Sequence, residues 1–241
     1  MSGTHASRSD DKRVAARAAV AMVPDGAILG LGTGTTAEIM LEELAERVRQ
    51  GLHVTGVATS ERTRVQARSL GIPVADLNDV RELTMSIDGA DEVSLPYLDL
   101  IKGHGGALLR EKLVAAASRY RIIIVDASKL VMTLGSRFAV PAEVVPFGWR
   151  HTAARLEALG ARVSLRMTTE SDPAEATARP FVTDGGHFIL DCRFPPSTVV
   201  TEIAARIKST TGVVEHGLFA NMTDCVIVGD AGKPRIYDRQ H

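Results

Sequence analysis

Cysteine is scarce in this sequence, and its scarcity disfavours several kinds of protein. The 241 residues include only Cys192 and Cys225, which form neither a CxxC pair nor a zinc-binding spacing. A disulfide framework and a zinc ribbon are therefore disfavoured. We interpret both residues as reduced thiols that pack as small hydrophobic groups in a cytosol.

A surplus of charge is also missing. The chain has 28 lysines and arginines against 29 aspartates and glutamates, which gives a net charge of −1. This balance removes the simplest argument for a nucleic-acid partner or a membrane-surface partner. A local positive pocket remains compatible with it.

Long hydrophobic runs are absent too. The run VAARAAVAMV contains Arg17 and stops at Pro24, and no other stretch approaches membrane-spanning length. The polar start MSGTHASRSDDKR has no apolar core of a signal peptide, so we expect a cytoplasmic protein. Internal repeats and low-complexity tracts are not found either.

What the sequence does contain, in its first half, is an alternation of strands and helices. This alternation predicts a parallel sheet covered on both faces. A helix over residues 10–22 should end at the turn Pro24-Asp25-Gly26. Further helices are predicted over TTAEIMLEELAERVRQG, SERTRVQARSLG (with Ser60 as N-cap) and ALLREKLVAAASRY, and strands over AILGLG, HVTGVATS, IPVADL, LTMSIDGADE and RIIIVDASK.

After about Leu134 the pattern changes. Strand, helix, strand, strand, helix and strand are predicted over VPAEVVPF, HTAARLEALG, ARVSLRM, FVTDGGHFILDC, STVVTEIAARIKSTTG and GVVEHGLF. FVTDGGHFILDC fits two short strands or one strand and a turn, and the polar segment 168–180 is expected to be an exposed loop. The order is the split βαβ of ferredoxin-like domains.

We therefore predict an α/β fold with two domains. Residues 1–134 plus 220–241 form a Rossmann-like parallel-sheet domain, to which DCVIVGD and PRIYD return as strands. Residues 135–219 form a smaller ferredoxin-like α+β domain.

A glycine- and threonine-rich loop, GLGTGTT, lies between the first predicted strand and the second helix. Its glycines let the backbone approach an anion, and the helix that follows offers free N–H groups and a positive dipole end. Hydroxyl donors come from Thr33, Thr35 and Thr36. The loop thus predicts a phosphate site, with a tight turn and threonine cap as the simpler alternative.

The same loop contains the pattern Gly32-x-Gly34-x-x-Ala37, a weak dinucleotide fingerprint. A dinucleotide site also requires an acid at the end of the second strand to bind ribose. That strand ends in Ala58-Thr59-Ser60, and Glu61 arrives one residue into the next helix. A nucleotide-dependent oxidoreductase is therefore the second interpretation.

Acidic residues follow another predicted strand in SIDGADE. Asp88 and Asp91 would point into the crevice where α/β folds bind ligands. Three acids in five residues repel one another, so this repulsion must either be tolerated for the sake of a function or be offset by a cation. The alternatives are a solvated turn and a metal site, but the sequence has no histidine cluster and places lysines nearby.

The most informative stretch is KGHGGALLREK, where a lysine precedes a glycine-rich loop that opens a helix. Lys102 could stabilise developing negative charge, and Glu111, about one turn into the helix, could move a proton. The alternative for Glu111 is a surface residue paired with a neighbouring lysine or arginine, which is the commoner case for a glutamate in such a local sequence.

Taken in order, GLGTGTTA, ATSERT, SIDGADE, LIKGHGGALLREK, IIVDASK, PAEVVPF, FVTDGG and GVVEHGLFAN resemble type A ribose-5-phosphate isomerases from end to end. The resemblance implies the two-domain fold and an aldose–ketose isomerase that interconverts ribose 5-phosphate and ribulose 5-phosphate. It implies a sugar phosphate as partner, no cofactor and no metal, and a homodimer or homotetramer.

Residue roles follow from the same resemblance. It implies that Glu111 is the base and that Asp88, Asp91 and Lys102 complete the reacting centre. It also implies contacts to substrate from Thr33, Gly34, Thr35, Thr36, Gly89, Ala90, Gly103, His104, Gly105, Lys129 and Lys12. Because the position of His104 varies in the family and glycines flank it, we expect its side chain to point away from the reacting carbons.

A sugar-phosphate sensor attached to a repressor is the remaining rival. It would need a DNA-binding module, for which the residues before the first strand are too few, and the chain is not basic.

Overall fold

Helices and strands alternate through much of the chain in the computed structural model, which describes residues 8–95, 97–168, 179–195 and 198–239. The α-helices are α1 (Arg8–Ala21), α2 (Thr35–Arg49), α3 (Glu61–Ser69), α4 (Leu108–Ala116), α5 (Trp149–Glu157) and α6 (Ala204–Lys208). The strands are β1 (Ala27–Leu31), β2 (Val54–Ala58), β3 (Met85–Asp88), β4 (Glu92–Ser94), β5 (Asp99–Ile101), β6 (Arg121–Asp126), β7 (Leu130–Val131), β8 (Val140–Val144), β9 (Arg162–Leu165), β10 (Phe188–Arg193), β11 (Val213–His216), β12 (Leu218–Phe219), β13 (Cys225–Asp230) and β14 (Lys233–Asp238).

The central sheet has six strands in the order β14-β13-β6-β3-β1-β2. Its pairs are parallel except for the antiparallel hairpin of β13 with β14. The carboxyl ends of β1 and β3 therefore meet at one edge, which is where this class of sheet binds ligands.

Both faces of the central sheet are covered. Alternate residues of a strand point to opposite sides, and in the buried strands both sets pack against other parts of the protein. In β6, Ile122 and Ile124 pack in the cluster that contains residues of α1 and α2. Ile123 and Val125, the intervening residues, pack with a small sheet on the other face. The predicted α/β class with a doubly covered parallel sheet is confirmed.

A second sheet is antiparallel, with the strand order β11-β8-β10-β9. Its chain order is β8, α5, β9, β10, α6, β11, as the ferredoxin-like pattern predicts. Of the two possibilities left open for FVTDGGHFILDC, the structure has one strand, β10, preceded by a turn. Most of the predicted loop at 168–180 lies outside the described residues.

A third sheet, β12-β5-β4-β7, was not predicted. The strand predicted over LTMSIDGADE ends at Asp88 as β3, and the last residue of this stretch, Glu92, begins β4. GVVEHGLF is divided at Gly217 between β11 and β12. Strands of two or three residues carry too little periodicity to be recognised in a sequence.

Two other predictions were wrong in detail. IPVADL forms only an isolated bridge between Val74 and Gly56, because Pro73 has no N–H to donate and Asp76 caps a short 3-10 turn. The helix predicted over STVVTEIAARIKSTTG begins only at Ala204. The β-branched residues before it, such as Val199 and Val200, disfavour helix. None of the helices among the described residues is long and apolar enough to cross a membrane.

Candidate active site

The loop between β1 and α2 lines a cavity of about 90 Å³ with Thr33, Gly34, Thr35 and Thr36. Gly32 passes close under Asp88, and a Cβ at this glycine would lie 2.1 Å from Asp88 Oδ1. Gly34 is the N-cap of α2 with φ of 107°, and it has no side chain to satisfy the first N–H groups of the helix. The start of α2 is thus open to an anion.

Two lysines reach the same cavity from distant parts of the chain. Lys12 on α1 donates a hydrogen bond to Thr35 Oγ1 at 2.8 Å. Lys129, in the 3-10 turn after β6, also lines the cavity, with Nζ 5.2 Å from the centre of the Phe138 ring. Both place positive charge where an anion would bind.

The hydroxyl of Thr33 is hydrogen-bonded within the protein. Its Oγ1 lies 2.8 Å from Thr59 Oγ1, 2.9 Å from Ser60 Oγ and 3.1 Å from Thr63 Oγ1. Thr63 in turn donates to the carbonyl of Gly32. Of these three partners, only Ser60 was given a role from the sequence, as the N-cap of α3, which the structure confirms. The run of hydroxyls in ATSERT was the available signal for the cluster.

The buried centre of the site is formed by Asp88, Lys102 and Glu111. Lys102 Nζ lies 3.0 Å from Asp88 Oδ2 and 3.5 Å from Glu111 Oε2. It also donates to the carbonyl of Gly89. All three side chains are at most 10% exposed, so these charges interact in a poorly solvated environment.

Asp88 also holds the backbone of the site together. Its Oδ1 accepts hydrogen bonds from the N–H groups of Thr33 at 3.1 Å and Gly89 at 2.7 Å. Both carboxylate oxygens are therefore occupied. Asp88 lies against Lys102 rather than among the residues that line the 90 Å³ cavity.

The other acids of SIDGADE have separate partners, which explains how the cluster is tolerated. Asp91 lines the cavity, and its Oδ2 accepts a hydrogen bond from the N–H of His104 at 3.0 Å. Glu92 is fully buried and accepts from the backbone N–H groups of Gly135, Arg137 and Phe138 at 2.6 to 2.8 Å. Hydrogen-bond donors of the protein thus offset the repulsion among these acids that the sequence predicts.

Glu111 has the environment of a proton carrier. Burial raises the pKa of Glu111 to about 8; the carboxylates of Asp88 and Asp91 act in the same direction, and Lys102 opposes them. Its Oε2 is buried and has no hydrogen-bond partner among the described residues. This oxygen lies 3.5 Å from Lys102 Nζ and is not used as a hydrogen-bond acceptor in the described part of the chain. A carboxyl group with such an oxygen and a pKa near neutrality suits proton transfer.

Burial also raises the pKa of Asp88, despite the opposing charge of Lys102. For Lys102, burial works against the charged form, but the neighbouring Asp88 and Glu111 outweigh it, so the pKa of this ammonium is raised. Lys102 therefore stays a cation that can meet negative charge developing in the cavity.

The structure brings most of the predicted site residues to one cavity and leaves two out of its lining. Its walls are formed by Lys12, Thr33, Gly34, Thr35, Thr36, Gly89, Ala90, Asp91, Lys102, Gly103, Gly105, Glu111 and Lys129. Asp88 lies behind Lys102. His104 is exposed, and its ring packs against Phe138 at 4.6 Å between centroids.

Among the described residues, no group of three or more His, Cys, Asp and Glu side chains is arranged to hold a metal ion. Glu61, the acid nearest to the end of β2, is paired with Arg64 and Arg110. A ribose hydroxyl would have to compete with both guanidinium groups for this carboxylate.

Known proteins similar to this chain share one description. The sequence profile of ribose 5-phosphate isomerase A (phosphoriboisomerase A) matches residues 55–233. The ribose-5-phosphate isomerase A of Synechococcus sp. (strain JA-3-3Ab) is 52% identical over 94% of this chain and 96% of its own length. That of Gloeobacter violaceus is 54% identical over 92% of this chain and 93% of its own.

Solved structures give the same result. Ribose 5-phosphate isomerase A from Methanocaldococcus jannaschii superposes with a TM-score of 0.89 at 34% identity, covering 96% of this chain and all of its own. A D-ribose-5-phosphate isomerase in complex with phospho-erythronic acid gives a TM-score of 0.90 at 34% identity over 97% of this chain. The chain belongs to the ribose 5-phosphate isomerase A family.

Proposed function

We propose that this enzyme interconverts D-ribose 5-phosphate and D-ribulose 5-phosphate through an enediolate, as a step of the non-oxidative pentose phosphate pathway. The observation that carries the proposal is the buried Lys102–Glu111 pair, which opens onto the same cavity as an anion-binding loop. One end of the cavity thus suits a phosphate and the other a proton transfer at carbon. A relative of the same fold binds phospho-erythronic acid, which combines a phosphate with a carboxylate.

In the proposed reaction, Glu111 removes the proton from C2 of the open-chain aldose. The resulting enediolate carries its negative charge on the oxygens of C1 and C2, beside the Lys102 ammonium. Glu111 then returns the proton to C1, and the proton on O2 passes to O1, which leaves the C2 carbonyl of the ketose. Substrate and product are isomers, so the reaction needs no external oxidant or reductant.

The two aspartates, Asp91 and Asp88, have different roles in the proposed reaction. Asp91 lines the cavity, and its Oδ2 accepts the hydrogen bond from the N–H of His104. Its Oδ1 accepts no hydrogen bond from the described residues and is the oxygen that assists ring opening. Asp88 acts through its neighbours, since its oxygens hold Lys102, Thr33 and Gly89 in place. Ring opening needs a proton moved from O1 to the ring oxygen, which a carboxylate can carry.

The phosphate binds at the start of α2. Thr35, Thr36 and the backbone at Gly34 donate hydrogen bonds, while Lys12 and Lys129 supply positive charge. Thr33 contributes its place in the loop rather than its hydroxyl, because that group is bonded to Thr59, Ser60 and Thr63. Anchoring the far end of the sugar makes the proton transfer effectively intramolecular.

The setting of the enzyme is part of the proposal. We place it in the cytoplasm as a homodimer or homotetramer without cofactor or metal. We also propose that residues 1–134 plus 220–241 and residues 135–219 are its two domains, which agrees with the strand membership of the central and ferredoxin-like sheets.

A coupled assay of the purified protein tests the function. Ribose 5-phosphate should be converted to ribulose 5-phosphate, and free ribose should be a far poorer substrate, because binding energy from the remote phosphate is used at the reacting centre. Equal rates with ribose and its 5-phosphate would contradict the proposed phosphate site. Tight NAD binding in calorimetry, with no turnover of ribose 5-phosphate, would favour the oxidoreductase instead.

A further inference from the structure

The segment 215–219 has no role in the chemistry proposed above, yet it contacts the backbone of Lys102. The N–H of Lys102 donates to the carbonyl of Gly217 at 2.9 Å. A Cβ at Gly217 would lie 2.1 Å from the carbonyl oxygen of Lys102, so this approach requires glycine. Next to it, Leu218 and Phe219 pair with Ile101 and Leu100 in the third sheet.

The same segment also binds α4 through Lys112, the residue after Glu111. Lys112 Nζ lies 2.9 Å from Glu215 Oε1 and donates to the carbonyls of His216 and Leu218. His216 Nδ1 lies farther away, at 3.4 Å from Lys112 Nζ. The three shorter contacts account for the three N–H bonds of the ammonium group. The Phe219 ring lies below both lysines, 4.7 Å from Lys112 Nζ and 5.7 Å from Lys102 Nζ.

The contact between Lys112 and Glu215 is largely shielded from solvent. The side chains of Lys112 and Glu215 are 14% and 13% exposed. Burial lowers the pKa of Lys112. For Glu215, burial opposes ionisation, but hydrogen bonds from Lys208 and Lys112 lower its pKa to about 2. Burial and the charge of Lys112 lower the pKa of His216 to about 4, so this imidazole is neutral at pH 7.

Lys112 itself does not line the cavity, whereas Glu111 does. Consecutive residues of a helix point about 100° apart, so α4 can direct Glu111 to the reacting centre and Lys112 to the segment behind it. Lys102 follows β5 and Glu111 lies on α4. The segment 215–219 contacts Lys102 directly and α4 through Lys112.

We propose that Lys112 is a positioning residue, which sets the carboxylate of Glu111 relative to the Lys102 ammonium by fastening α4 to the segment 215–219. This inference rests on the proposed function. A displacement of about 1 Å at a reacting group can cost about 100-fold in rate. The attachment thus acts on turnover, not on substrate binding.

Kinetics of Lys112→Met give the first test. We expect kcat to fall about 10- to 100-fold while KM stays within about threefold, because the phosphate loop is untouched. Lys112→Arg keeps the charge and the donors and should retain at least about a third of the wild-type kcat. The matched control is Lys208→Met, which removes the other lysine on Glu215 without contacting α4 and should leave kcat within about twofold.

Titration of the Glu111 carboxyl by ¹³C NMR gives a second readout that does not need activity. The charged groups that face Glu111 are Lys102, Asp88 and Asp91. In Lys112→Met we expect the pKa of Glu111 to fall by at least about one unit, because a loosened α4 admits water to this carboxyl. Glu111→Gln identifies the resonance, and a melting curve confirms that each variant is folded.

The inference would be overturned if folded Lys112→Met kept the wild-type kcat and the titration of Glu111 did not change. Lys112 would then have a structural role only. If Lys112→Met does not fold, Lys112→Gln is tested against the same two expectations. A wild-type enzyme that does not act on ribose 5-phosphate would refute the proposed function, and the titration would then decide the positioning inference by itself.

Discussion

At the scale of single residues, His104 is the side chain most easily given a false role. A histidine in a substrate loop suggests an acid or base, but this ring packs on Phe138 and only the backbone N–H reaches Asp91. We expect His104→Leu to keep kcat within about tenfold, less than a positioned general acid or base usually contributes. Paired pH–rate profiles check this, and the loss of a limb near neutrality along with most of the activity would make His104 catalytic.

The pH dependence of the wild-type enzyme reports on Glu111. Burial raises the pKa of this carboxyl to about 8 in the free enzyme, and the base must be deprotonated to act. On a logarithmic scale kcat/KM should therefore rise with pH up to a bend near 8 and level off above it. Measurement between pH 5 and pH 10 checks this. A rate that stays flat down to about pH 5 would mean that Glu111 has the pKa of an ordinary glutamate.

At the scale of elements, the hydroxyl cluster of Thr33, Thr59, Ser60 and Thr63 connects the start of α3 to the loop between β1 and α2. Thr63→Val removes a buried hydroxyl, leaving the carbonyl of Gly32 and the other hydroxyls short of a partner. We expect the free energy of unfolding to fall by about 1–3 kcal/mol. Urea denaturation measures it. Thr55→Val, on the neighbouring β2, should change it by no more than about 0.5 kcal/mol, and equal losses in the two variants would contradict the account.

An element could be predicted from the sequence when it is long enough to show a periodic pattern and when local residues, rather than distant contacts, determine its structure. The strand–loop–helix units around Gly32 and Asp88 could be predicted. A buried apolar run that is followed by glycine and by apolar residues at helical spacing is a local signal. Side-chain direction could not: nothing local distinguishes Asp88, bound to Lys102, from Asp91, which faces the cavity. The contacts of Lys112 with residues 215–219 join positions about a hundred residues apart, and no local pattern encodes them.

For the whole molecule, the expectation that no metal takes part has a direct test. The carboxylate oxygens of Asp88 are occupied by Lys102, Thr33 and Gly89, and Asp91 is bonded to the loop at His104. A divalent cation would have to displace these donors. Activity should therefore survive exhaustive EDTA treatment. Loss of activity that Mg²⁺ or Mn²⁺ restores would make the aspartates ligands and change their proposed roles.

The central claim is that Glu111 carries the proton between C2 and C1, and turnover of Glu111→Gln tests it most directly. Glutamine preserves the shape of the side chain and removes the base. We predict that kcat for ribose 5-phosphate falls at least roughly 10²- to 10⁴-fold, with binding of the sugar phosphate largely kept and an intact melting transition. Near-wild-type turnover in the folded variant would contradict the account and remove Glu111 from the mechanism.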